Sequence, residues 1–165
     1  MMTREEHLMH WLRDAHAMEE QAEQMMRTTA DRLKNYPELR LKLVEHLEET
    51  RRQAIAVRGC IERRGGKISV VKDLAARTTG LAQGLSGLFF ADEVVKALQA
   101  IYTFEHMEIA SYSILIAAAE SAGDHRTKAV CETTLAEEQA MAAWIYEHLL
   151  ELTQEHLSRS APKAA

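Results

Sequence analysis

The chain has 165 residues, 47% hydrophobic and 27% charged, with a formal charge of −5 and a pI of about 5.9. That balance fits one globular domain with a sizeable core and excludes a disordered chain, while acidic charge without a basic stripe argues against nucleic acid as a partner. Cys60 and Cys131 are too few for a disulfide framework, the charged N-terminus MMTREEHLMHWLRD has no apolar signal stretch, and the most apolar run, 109–119, is too short to span a bilayer, so the chain reads as a soluble cytoplasmic protein.

In chain order, the first predicted element is a long helix over 3–34. Asn35-Tyr36 breaks it, and Pro37 opens a second over 37–64, at a position where the missing N–H would have no helical partner anyway. Gly65-Gly66 closes that helix. A connection of more than two dozen residues follows, loosened by Gly80, Gly84 and Gly87, with a short helix expected around 71–83. A third long helix is predicted over 91–122 and a fourth over 124–157, separated by Gly123 as C-cap and Asp124 as N-cap. Residues 1–158 read as one domain and 159–165 as a disordered tail. Tight turns make the first two and the last two helices antiparallel neighbours. The long link is a crossover from one end of the molecule to the other. The expected fold is all-α: a ferritin-like antiparallel four-helix bundle with one long crossover.

Spacing of three and four residues picks out the buried stripe of each helix. On the first it runs Leu8, Leu12, Ala15, Glu19, Ala22, Met26, Thr29, Leu33; on the third, Val94, Leu98, Ile101, Glu105, Glu108, Tyr112, Leu115, Ala119. The fourth reads Cys131, Leu135, Glu138, Ala142, Ile145, Leu149, Leu152. The second is more polar: Leu39, Leu43, His46, then Glu49 or Thr50, Gln53, Val57 and Cys60. Every long helix therefore sets an acid at or beside the middle of its apolar stripe. An unpartnered buried carboxylate costs several kcal/mol, and a cluster of them repels itself. Arg51 and Arg52 lie off the stripe, so internal cations are too few. Divalent metal ions with carboxylate oxygen and imidazole ligands would answer the charge. Glu19, His46, Glu49, Glu105, Glu108 and Glu138 are the candidate ligands, with His46 or Gln53 completing the set from the second helix. Tyr112, one turn past Glu108, reads as a core tyrosine bonded to a carboxylate. The methionines read as core filling, and Glu45, Glu48, Arg63 and Arg64 as solvated faces.

The segments HWLRDAHAMEEQ (10–21), EHLEETRRQ (45–53), EHMEIASYSIL (105–115) and CETTLAEEQA (131–140) resemble the YciE/YciF-type ferritin-like family of bacterial proteins. The resemblance spans all four long helices and is weakest in the crossover. It implies a rubrerythrin-like fold, a link with stress responses and a dinuclear metal site, with ligand roles for Glu19, Glu49, Glu105 or Glu108, and Glu138. Departures from the ferritin-like template concern nitrogen donors. The expected Glu-x-x-His is reversed at His46-x-x-Glu49, and the fourth helix has Glu138-x-x-Met141. Gln53 stands where relatives carry His, and Ala142 where they carry an acid. Two functions from different classes follow. One is a dinuclear iron or manganese carboxylate protein, with one or two ions bound, oxidising ferrous iron or removing peroxide. The other is a non-catalytic helical stress or structural protein with a vestigial or structural metal site. A homodimer is expected in either case, with oxygen or peroxide as a small oxidant in the first.

Overall fold

Thr3 starts the first helix by a reciprocal cap: its hydroxyl accepts from the Glu6 N–H at 3.2 Å, and the Glu6 carboxylate accepts from the Thr3 N–H at 2.7 Å. The computed structural model describes residues 1–68 and 94–160. Within them lie α1 (Arg4–Arg32), α2 (Pro37–Arg63), α3 (Val94–Ser121) and α4 (His125–Ser160), and there is no strand among the described residues. Pro37 occupies the first turn of α2. Gly65 (φ 75°) and Gly123 (φ 69°) take the left-handed conformation that ends α2 and α3. At α4, the Asp124 side chain accepts from the Thr127 N–H at 3.0 Å, the cap expected from the sequence. The short helix expected at 71–83 lies outside the described residues, as do 161–165 of the expected tail; α4 itself continues to Ser160.

Contacts between the helix ends establish the topology. Arg64, just past α2, pairs with Glu5 at the start of α1 and with Asp124 before α4. Arg4 donates to the Ser121 carbonyl at the end of α3. At the other end, the Tyr36 hydroxyl of the α1–α2 turn meets His156 Nδ1 near the end of α4 at 3.2 Å. Neighbours α1/α2, α1/α3, α3/α4 and α2/α4 are thus all antiparallel, and the diagonal helices are parallel. Because α2 ends where α3 also ends, the end of α2 and the start of α3 lie at opposite ends of the bundle. The 28 residues of α3 set that distance at roughly 42 Å.

The core is layered along its axis. Toward one end, Leu8, Leu12, Val57, Ile61 and Leu115 are fully buried; toward the other, Met26, Leu39, Leu43, Leu98 and Ile101 are. Each such side chain stabilises by about 1.5–3 kcal/mol, enough together to force whatever lies between the two layers out of water. Between them lie the acids.

Candidate metal centre

At mid-bundle the helical period turns Glu19 of α1, His46 of α2, Glu105 and Glu108 of α3 and Glu138 of α4 inward, each at most 1% exposed. His46 Nε2 stands 3.3 Å from Glu105 Oε2 and 3.2 Å from Glu138 Oε2. These three residues offer ligand atoms that all lie within 4.8 Å of one another. Glu19 and Glu108 adjoin them, close enough for their charges and that of Glu138 to act on each other. Tyr112 donates its hydroxyl to Glu19 Oε1, the carboxylate partner expected from the sequence.

Glu49 is placed differently. Its carboxylate is about a third exposed, and its Oε2 accepts from His46 Nδ1 at 2.7 Å. It therefore stands behind the imidazole, outside the group formed by His46, Glu105 and Glu138. The buried stripe of α2 passes through Thr50, whose hydroxyl bonds back to the His46 carbonyl at 3.0 Å. Gln53 is buried too, with its Nε2 donating to Glu137 Oε2 at 2.8 Å. Glu137 was not singled out in the sequence. Its only signal was its place beside Glu138 at the edge of an apolar stripe.

The electrostatics show a site out of balance. Burial, reinforced by the Glu138 charge and opposed by the Tyr112 hydrogen bond, pushes the Glu19 carboxyl up to about 8. Burial does the same for Glu138, also to about 8, with His46 pulling it down and Glu105 pushing it up. Glu108 is driven well above the ordinary glutamate range by burial and then by Glu19, Glu138 and Glu105. Burial opposes a charge on His46, yet the carboxylates of Glu105 and Glu138 beside it push the imidazole up to about 11. One imidazolium thus faces four glutamates.

Eight buried atoms here lack hydrogen-bond partners: Glu19 Oε2, His46 Nε2, and both oxygens of Glu105, Glu108 and Glu138. Buried polar groups in folded proteins are otherwise almost always paired. Carboxylate oxygens with one imidazole nitrogen match the donor preferences of manganous or ferrous ions. Among the described residues, the donor set of His46, Glu105 and Glu138 is therefore one that could hold a divalent ion. Glu49 on the far ring nitrogen would fix the His46 tautomer, as outer carboxylates do for metal-bound histidines.

Comparison with known proteins agrees with this architecture. Residues 3–158 match the family described as "Domain of unknown function (DUF892)". A protein of Xanthomonas campestris pv. campestris has a solved structure with a TM-score of 0.82 and 37% identity, covering 96% of this chain and 99% of that one. The E. coli stress protein YciF gives a TM-score of 0.80 at 26% identity, covering 93% and 99%. YcfI of Rhodopseudomonas palustris, described as a candidate structural protein, gives 0.72 at 28% identity, covering 88% and 94%. The YciF-type resemblance read from the sequence holds, and so does the four-helix fold.

Proposed function

This chain belongs to the DUF892 family, and from that premise we propose that its mid-bundle cluster binds one or two divalent ions, iron or manganese, and serves in a stress response. The observation that carries this reading is the set of eight buried ligand atoms without hydrogen bonds, drawn from all four helices. His46, Glu105 and Glu138 would hold one ion. Glu19 and Glu108 beside them would hold a second. Iron or manganese, if bound, would supply Lewis acidity and a one-electron couple able to act on ferrous iron, oxygen or peroxide. The chain's own contributions are distinct from that chemistry. Tyr112 fixes the rotamer of Glu19, Glu49 orients His46, and the apolar layers on either side exclude water. No helix among the described residues is long and apolar enough to cross a membrane.

One feature favours a structural ion instead: Met141, buried and one turn past Glu138, stands where the ferritin-like template supplies an imidazole. The test is elemental analysis of protein purified without chelators, followed by titration of the stripped protein with ferrous or manganous ion. Between one and two ions per chain, lost in Glu138→Gln, is the expected result. A stripped protein that takes up neither ion sinks the proposal. Uptake without any change in metal oxidation state under oxygen or peroxide selects the structural role.

A further inference from the structure

A buried ion site needs a way in, and the four seams between neighbouring helices are not alike. At the level of the cluster the α1–α2 seam is bridged by an ion pair, with Arg51 Nε on Glu23 Oε1 at 3.0 Å. Of the four neighbouring pairs, α2 and α4 are the least closely packed among the described residues, and at the level of the cluster an amide spans the seam between them. Gln53 Nε2 of α2 donates to Glu137 Oε2 of α4 at 2.8 Å. Glu137 is 29% exposed, so one end of this bridge is in water. The other end is not. Gln53 is only 3% exposed, and its Oε1 is buried without a hydrogen-bond partner. The next residue along α4 from Glu137 is Glu138, whose Oε2 faces His46, and the charge of Glu137 is felt by Glu19 inside the cluster. The α2 stripe is apolar at Leu39, Leu43, Val57 and Ile61 and polar only across His46, Thr50 and Gln53. On α2, buried polar side chains are thus confined to this one stretch.

We propose that Glu137 and Gln53 form the loading site for the cation: the half-exposed carboxylate captures the ion, and the buried amide oxygen hands it on to Glu138 and His46. The inference rests on the metal-binding reading above. Hard divalent ions take carboxylate and amide oxygens in succession at little cost, because both are oxygen ligands. A carboxylate at the mouth of a low-dielectric cleft raises the local cation concentration and the association rate. Arg52 Nη2, 4.0 Å from Glu137 Oε1, is the resident cation that the incoming ion must displace.

The experiment is rapid mixing of the full stripped chain with cobaltous ion, following its visible absorption, with the final stoichiometry measured on the same sample. Glu137→Gln should slow loading by about tenfold at low salt, with a smaller difference at high salt and unchanged stoichiometry. Gln53→Leu, which keeps the volume and removes the oxygen, should also slow loading. Arg52→Ala should accelerate it. Melting curves confirm that each variant is folded, and the partly exposed Glu137 and the exposed Arg52 carry the test if Gln53→Leu does not fold. Loading at the wild-type rate in both Glu137→Gln and Arg52→Ala overturns the loading site and leaves the metal reading standing. A wild-type protein that never takes up cobalt overturns the metal reading first.

Discussion

Charge is concentrated at two places in this bundle, and they obey opposite rules. At the end where α2 meets α4, Asp124 accepts from Arg63 at 3.0 Å, from Arg64 at 2.7 Å and from Thr127, and Arg64 also reaches Glu5. Burial is the largest single influence on the Asp124 carboxyl and raises it, but the hydrogen bonds from Thr127 and Arg64 and the charge of Arg63 together outweigh it and hold the group far below the ordinary aspartate range. At the waist, four glutamates share one histidine, and the shifts for Glu19, Glu108 and Glu138 all go upward. The same residue chemistry locks the fold in one place and strains it in the other. The partners make the difference. Guanidinium groups answer each carboxylate at the end, whereas at the waist the only internal cation among the described residues is one imidazole.

The largest expected effect is the response to metal. Without metal, Glu19 and Glu138 bind protons more tightly folded than unfolded, so their stabilising contribution is complete below the ordinary glutamate pKa and is lost as pH rises to about 8. The stripped protein should therefore melt lower at pH 8 than at pH 5. Ferrous or manganous ion at about 100 times its Kd should restore about 2.7 kcal/mol, a rise of roughly 5–10 °C for a chain of this size. The rise should be much smaller at pH 5, where protons compete. Melting curves that ignore both metal and pH would erase the contrast between the two regions.

Removing acid should have opposite signs at the two places. Asp124→Ala deletes a helix cap and two ion pairs, and should cost about 1–3 kcal/mol in urea unfolding at pH 7. Since the Asp124 pKa is depressed, the stability it contributes is present above the ordinary aspartate pKa and disappears in acid. Replacing Glu108 and Glu138 together by Gln should instead stabilise the metal-free form by about 1–2 kcal/mol at pH 8 while abolishing the response to metal. A double variant less stable than the stripped wild type would show that the waist is a satisfied network after all.

Smaller effects sharpen the picture inside the waist. Glu49→Gln removes the charge behind His46, and should weaken metal affinity by about tenfold without altering stoichiometry. Loss of one whole ion would instead make Glu49 a direct ligand. Tyr112→Phe deletes a buried donor to Glu19 and should cost only about 1 kcal/mol, read from denaturant midpoints with an unchanged slope.

Most of the fold was legible in the chain. Pro37, Gly65, Gly123 and Asp124 mark helix ends by chemistry that acts within a few residues, and the structure places all four at those ends. The stripes of α1 and α3 are buried as their spacing predicts, Glu19, Glu105 and Glu108 among them. That holds because a helix repeats every 3.6 residues wherever it occurs, so the face presented to the core follows from sequence alone. Neighbouring positions at a stripe's edge do not follow in this way. Glu49, an expected ligand, and Thr50 share the edge of the α2 stripe, and the packing of α2 sets Thr50 inward and Glu49 behind His46. Arg63 and Arg64 read as solvated charges, because Asp124 lies some sixty residues away along the chain and only the antiparallel α2–α4 packing brings it within 3.0 Å. The Gln53–Glu137 bridge is likewise tertiary, joining positions 84 residues apart. Period decides what a helix buries; the packing of helix on helix decides which buried or bordering group each side chain meets.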